Sequence, residues 1–481
     1  MSVPKRESAT SNFPANPSPK AFELCVVALT VAVSAVIAWI HIRSTSIWFD
    51  EGLTLLITSG HGTLEWRLGL AQFKPTTNLT RILSQLYTYD VHPPLYFWTL
   101  AIWRSCFGAS LEIARMLSAI FIMGALILMY RFALQTPFRW PVVPVVIYAC
   151  SAAGVRYAYN ARPYAMASFL VVLTLCLVQR KSKWAGITAA LCVATHYFAG
   201  LCVASVIAVA CLLAMKLQRR WALLTSGSFV AFCLPTGVLV LKHVGARPGQ
   251  FPQFGSLHRE VDAMLGGALR SGLPSSSLGA WKYVLILGAC LALLGGVWGI
   301  VRRFGIVPLS YGLFLCCFLA TAIAANKSIV KMPADYYLGV SAPLFALLLW
   351  YAVCSVPLVA GPLTGVIVMI GVITFTPMMA PRDYRKLMND IRADCDHCVV
   401  VVSAGSGAAV PACVLYEGKG LDIRLLHTGE SPGQAVEGVG KDHMIYFIPA
   451  EENSSARTEE EFLNAYPAAR QNGYYKVVPR F

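Results

Sequence analysis

Asp50 and Glu51 stand side by side after Trp48 and Phe49, directly beyond the first long apolar stretch of the chain. A carboxylate beside aromatic side chains at a membrane boundary is partly desolvated, and desolvation raises its basicity. Such a base suits removal of the proton from a hydroxyl as that hydroxyl attacks. The plainer alternative is a solvated acidic pair at a helix end. Further on, Asp90-Val91-His92-Pro93-Pro94-Leu95-Tyr96 marks the return to apolar sequence. The two prolines restrict the backbone. His92, at the water boundary, suits a phosphate or a metal ion, or else caps a helix.

Arg156-Tyr157-Ala158-Tyr159-Asn160-Ala161-Arg162-Pro163-Tyr164 joins two apolar stretches and interleaves arginine with tyrosine. Arginine grips phosphate oxygens bidentately, and tyrosine favours the membrane interface. Arg156, Tyr159, Arg162 and Tyr164 therefore read as contacts for a phosphate-headed lipid. Interfacial aromatics with snorkelling arginines are the bland reading of the same pattern. Thr195-His196-Tyr197 ends the next outward stretch and lands on the same face, which brings His196 and Tyr197 into the set. Lys331 and Tyr336 lie between two later stretches, with Lys331 either a second phosphate contact or an interface marker. Glu112 and Arg115, at i and i+3, read as an intrahelical ion pair. Cys395-Asp396-His397-Cys398 has CxxC spacing without a second ligand pair, a weak zinc signal. A disulfide, with Cys413 as a further partner, suits an external domain better.

What must position these residues is a membrane. Of 481 residues 57% are apolar and 13% charged, with mean hydropathy +0.60, whereas soluble domains carry roughly a quarter charged residues. Apolar runs near the length of a bilayer span recur from Ala21 to Pro377. The net charge of +15 invites a nucleic-acid reading. Yet Lys5, Arg6, Lys20, Arg131, Arg139, Arg180, Arg219 and Arg302 fall in short segments between alternate spans, the positive-inside pattern. Anionic lipid is the partner that such segments suit.

The expected fold class is a polytopic α-helical membrane protein of about eleven transmembrane helices with a small C-terminal α/β domain. Residues 1–20 read as a disordered cytoplasmic tail, 21–380 as the membrane domain with an external loop at 43–92, and 381–481 as the external domain. Within the loop, 53–57, 64–73 and 79–87 are short and amphipathic, suited to lying on the membrane. Residues 140–153 and 184–199 read as full crossings. Residues 93–107 are apolar but short, and parity leaves open whether they cross. In the C-terminal part, 384–393 and 459–466 read as helices and 398–403, 421–426, 444–449 and 474–478 as strands.

Taken in order, Trp48-Phe49-Asp50-Glu51, His92-Pro93-Pro94-Leu95-Tyr96, Ala161-Arg162-Pro163-Tyr164-Ala165 and Thr195-His196-Tyr197 resemble the polyprenyl-phosphate-dependent GT-C glycosyltransferases. The bacterial branch related to protein O-mannosyltransferases and lipid A aminoarabinose transferases is the most similar. The likeness covers most of residues 20–380, and the tail opening with Arg382-Asp383-Tyr384-Arg385 also looks like that branch. The resemblance implies Asp50 in the place of the first-loop catalytic acid with Glu51 beside it. It also implies His92 near the lipid phosphate or a metal, and Arg162 with Tyr164 lining the cavity. Two positions depart from the pattern. Asn160 stands where the branch often has glutamate, and Asp335-Tyr336-Tyr337-Leu338 where it often has Arg-Tyr-Leu, with Lys331 as the substitute cation.

The expected reaction moves a sugar from a polyprenyl-phosphate donor to a hydroxyl on the external face of the bacterial inner membrane, with inversion at the anomeric carbon. Lipid phosphate leaves readily, so the site needs one base, a cation for the developing phosphate charge and alignment of the two substrates. The acceptor is a glycan, lipid or protein, among membrane lipids and without nucleic acid. No cofactor is demanded by the sequence, and a divalent metal is compatible with it. The competing readings are a transporter or flippase of lipid-linked sugars, whose ionisable residues belong in mid-span, and a non-catalytic scaffold.

Overall fold

The computed structural model of the chain describes residues 21–61, 73–90, 92–215, 217–246, 306–324, 339–355, 383–395, 397–405, 409–427, 429–440, 443–449, 456–470 and 474–477. The expected tail at 1–20, residues 64–72 of the amphipathic stretch at 64–73, and two further apolar runs that read as crossings, at 283–301 and 358–379, lie outside the described residues.

The first helix, α1 (Ala21–Ser44), is apolar around its circumference and leaves Phe22, Leu29 and Val36 exposed. A helix of that character has lipid for a neighbour. Three short helices follow: α2 (Phe49–Thr58), α3 (Leu79–Tyr89) and α4 (Leu95–Phe107). α2 begins where the Glu51 side chain reaches back to accept the Trp48 N–H, and α3 begins where Asn78 Oδ1 accepts the Arg81 N–H. The 13 residues of α4 rise about 20 Å, short of a hydrocarbon core roughly 30 Å thick. α5 (Leu111–Ala133), capped by Ser110, packs along α1.

Where a single crossing was expected at 140–153, the chain makes two short helices, α6 (Val143–Cys150) and α7 (Ala152–Ala158). Ser151 ends the first and caps the second: its hydroxyl donates to the Tyr148 carbonyl and accepts the Gly154 N–H, which turns the chain. α8 (Tyr164–Gln179) packs against α5. The crossing expected at 184–199 is also cut short, since α9 (Ala185–Val193) stops and α10 (Tyr197–Ala214) restarts with His196 as its cap. α11 (Arg219–Ala246), α12 (Ile306–Ala324) and α13 (Ala342–Ser355), the last entered through a 3-10 turn at Gly339–Ser341, complete the helical part. Among the described residues four helices, α1, α5, α10 and the 219–239 part of α11, are long and apolar enough to cross a bilayer. The chain is thus a polytopic helical membrane protein.

The C-terminal part folds as α14 (Tyr384–Asp394), β1 (Cys398–Gly405), α15 (Ala409–Glu417), β2 (Asp422–His427), α16 (Pro432–Ala435), β3 (Met444–Ile448), α17 (Ala456–Ala465), β4 (Ala468–Arg470) and β5 (Tyr475–Val477). The sheet order is β2-β1-β3-β5-β4, with β1 parallel to β2 and β3 and β5 antiparallel to β3 and β4. The Val399–Val402 run sits in β1, buried on both faces, as an unbroken apolar strand requires. α15 and β4 were not anticipated. α15 is the crossover from β1 to β2 that parallel strands need, and it packs against α2. Cys395, Cys398 and Cys413 do not form the expected disulfide among themselves; Cys398 Sγ donates to the Cys395 carbonyl at 2.8 Å.

Candidate active site

Asp50 and Glu51 occupy the first turn of α2, yet their surroundings are opposite. Glu51 is 1% exposed and both its oxygens are engaged. Oε1 accepts from Arg115 Nε at 2.9 Å and from the Ala161 N–H at 2.8 Å, and Oε2 from Arg115 Nη2 at 2.6 Å and from the Trp48 N–H at 3.0 Å. Arg115 fills its remaining donors with the Ile42, Thr45 and Ser46 carbonyls at the end of α1. The sequence pairs Glu51 with Asp50 as a reacting group; the structure makes Glu51 the knot that ties α1, α2, α5 and the 158–162 loop together. Arg115 correspondingly serves Glu51 and not the expected intrahelical pair with Glu112. The i, i+3 spacing was legible; the distant partner was not.

Asp50 keeps its carboxylate available. Its side chain is 23% exposed, it accepts no hydrogen bond among the described residues, and its one ionic neighbour is Arg162 Nη2 at 3.9 Å. The Asp50 carbonyl is held instead, by Thr54 Oγ1 at 2.8 Å and by Arg162 Nη1 at 3.4 Å.

Arg162 is the hub. Buried behind Asp50, it donates from Nη1 to Thr54 Oγ1 at 3.0 Å and to Asp90 Oδ2 at 3.1 Å, and Nη2 lies 3.2 Å from His92 Nδ1. His92 Nδ1 also lies 2.6 Å from Asp90 Oδ1. One nitrogen cannot donate to Asp90 and accept from Arg162 together, and the short carboxylate contact decides for an Nδ1–H donating to Asp90. That leaves Nε2 as the open nitrogen of the ring. Burial would raise the Asp90 carboxyl, but the His92 and Arg162 charges outweigh it and hold the group well below the carboxylate range. Burial acts against the Arg162 cation too, and the Asp50 and Asp90 carboxylates reverse that, leaving it raised.

The aromatic wall stands beside this cluster. The His92 ring lies 5.4 Å from His196 and 6.4 Å, edge on, from Tyr164, which stacks on Tyr157 at 4.9 Å. His196 is carried there because the Leu95 N–H bonds the Ala194 carbonyl, joining the start of α4 to the end of α9. Its Nδ1 accepts the Ala199 N–H, and burial followed by the His92 and Arg162 charges pushes its pKa well below 6.5. The 158–162 loop is pinned by Ser118 Oγ, which donates to the Asn160 carbonyl. Arg156 lies over the Trp48 ring at 5.5 Å, beside the start of α2, Tyr159 packs on His41 and Tyr197 is half-buried. Lys331 and Tyr336 lie outside the described residues.

Sequence reasoning named Asp50, His92, Arg162, Tyr164 and His196, and the fold brings these together. It passed over Asp90 as a partner, although Asp90 sits two residues from His92. It also missed Arg104 of α4, whose Nη1 donates to Thr58 Oγ1 and the Leu55 carbonyl and whose Nη2 donates to the Phe73 carbonyl, so that the far end of α2 is clamped as well. Among the described residues no three His, Cys, Asp or Glu side chains gather as a metal ion would require.

Membrane helices, short helices carrying the acidic pair and a C-terminal sheet region together make up the fold. Two solved structures share it, both of ArnT from Cupriavidus metallidurans. In the apo state that protein is 11% identical with a TM-score of 0.54, over 95% of this chain and 98% of that one. Bound to undecaprenyl phosphate it is 11% identical with a TM-score of 0.54, over 94% and 97%. No family model and no curated protein matches the sequence. The likeness is therefore one of fold.

Proposed function

We propose that the chain is a membrane glycosyltransferase that takes a sugar from a polyprenyl-phosphate donor, on the external face of a bacterial inner membrane, and passes it to an acceptor hydroxyl. The observation that carries the reading is the contrast within the acidic pair: Glu51 has all its lone pairs engaged, while Asp50, one residue away, presents an unbonded carboxylate beside a buried cation. The fold shared with a protein solved with undecaprenyl phosphate supports the donor class.

In the proposed step Asp50 takes the proton of the acceptor hydroxyl as its oxygen bonds to the anomeric carbon from the face opposite the phosphate. The bond from that carbon to the phosphate oxygen breaks, its electron pair stays on the lipid phosphate, and the configuration inverts. Arg162 holds Asp50 in place and lends positive potential, and His92 Nε2 and Arg156 are assigned to the phosphate. Tyr159, Tyr164, His196 and Tyr197 are assigned to lining the substrate cavity, and Lys331 and Tyr336 to a further phosphate contact. Glu51 is assigned to positioning.

The test is sugar transfer by purified protein from labelled undecaprenyl-phosphate sugars, wild type beside Asp50→Asn. Loss of transfer in the variant, with folding intact, is the expected result. Undiminished transfer removes the base assignment. No transfer from any donor, with lipid translocation observed, replaces the enzyme by a flippase.

A further inference from the structure

Glu417, the last residue of α15, is remote from Asp50 in sequence but lies against the segment that launches α2. Its Oε1 accepts the Ile47 N–H at 3.1 Å. Arg385 of α14 pairs with the same carboxylate at 3.2 Å, donates its backbone N–H to Ser46 Oγ at 3.1 Å, and reaches the Arg43 carbonyl with Nη1 at 2.8 Å. The neighbouring Tyr416 hydroxyl accepts the Leu111 N–H, at the first turn of α5, at 2.8 Å. α5 carries Arg115, and the strap at 43–48 supplies two of the carbonyls that Arg115 grips. The C-terminal sheet region thus braces, from behind, both elements that the Glu51–Arg115 pair joins. Most of these bonds end on backbone atoms, so they set the position of the main chain and do more than fill space between side chains.

We propose that Glu417 is a positioning residue for Asp50: by holding the Ile47 N–H it sets where α2 starts and hence where the Asp50 carboxylate points. This rests on the reading of Asp50 as the base. A displacement on the order of 1 Å at a reacting group can cost about 100-fold in rate, and Ile47 is three residues from Asp50. An interface that merely glues two regions together predicts a loss of stability without a selective loss of turnover.

Full-length protein is prepared as wild type, Glu417→Gln and Glu417→Ala. Glutamine keeps an oxygen for the Ile47 N–H and loses the charge facing Arg385; alanine loses both. Amide hydrogen exchange is read over 43–58, with α8 as the internal reference, and sugar transfer is measured on the same samples. The expected result is faster exchange over 43–58 in Glu417→Ala alone, with kcat reduced about 10-fold and KM for the lipid-linked sugar unchanged, and with both restored in Glu417→Gln. Unchanged exchange in Glu417→Ala overturns the proposal, as does faster exchange with unchanged kcat. If wild type transfers no sugar from any donor, the failure belongs to the proposed function, and the exchange measurement still decides whether Glu417 holds the strap.

Discussion

Replace Glu51 with glutamine, and a side chain of nearly the same shape faces the same four donors with only one oxygen able to accept. The carboxylate takes two bonds from Arg115 and one each from the Trp48 and Ala161 N–H groups. The amide nitrogen of glutamine would point at two of these donors, and Arg115, 2% exposed, would lose its counter-charge. Removing one partner of a buried pair costs about 3–5 kcal/mol, chiefly because the other charge stays buried and uncompensated. The lower end applies here, since Arg115 keeps the carbonyls of Ile42, Thr45 and Ser46. About 3 kcal/mol is a factor of about 10² in the folding equilibrium. The assay is equilibrium unfolding in detergent, with Asp50→Asn as the control. The Asp50 carboxylate accepts no hydrogen bond among the described residues and meets Arg162 at 3.9 Å in a partly exposed position, so loss of its charge should cost no more than about 1 kcal/mol. Equal stability losses in the two variants, or a Glu51→Gln protein as stable as wild type, would refute the division of labour between the two acids.

Asp50→Asn should lower sugar transfer by about 10²–10⁴-fold, the range for loss of a general base, as measured by single-turnover kinetics with a labelled donor. Asp90→Asn strips Arg162 and His92 of a shared partner and should destabilise the protein by about 3–5 kcal/mol, read by the same unfolding assay. A Cβ at Gly339 would land on the Tyr157 hydroxyl, which stacks behind Tyr164. Gly339→Ala should cost about 1–3 kcal/mol, and adding Tyr157→Phe should recover only part of it, because the ring Cζ still lies 2.8 Å from the new Cβ. Because the folded pKa of His196 lies below 6.5, the unfolded chain takes up a proton that the folded chain refuses. Its contribution is whole above pH 6.5 and is lost as pH falls below that, by up to about 1.4 kcal/mol per pH unit. His196→Gln should flatten that part of a stability–pH curve relative to wild type.

Four of the five sheet strands and the long apolar helices were legible because their signal is local: Val399–Val402 and the run in α1 each declare a burial state within one element. The two short helices at 143–158 were not, because they turn on one hydroxyl. Ser151 bonds back to Tyr148 and forward to Gly154, and hydropathy averages over it.

The same boundary runs through the site. Sequence by itself determined the cast, with Asp50, His92, Arg162, Tyr164 and His196 in motifs whose residue types suit a base, a cation and an aromatic wall. Only tertiary structure distinguishes their surroundings. Two adjacent acids look alike in sequence, and their difference comes from Arg115, Ala161 and the Asp90–Arg162 pair, which reach them from other elements. Hydrogen-bond saturation and burial are properties of neighbours in space, so which carboxylate is tied and which is open is settled when the helices pack.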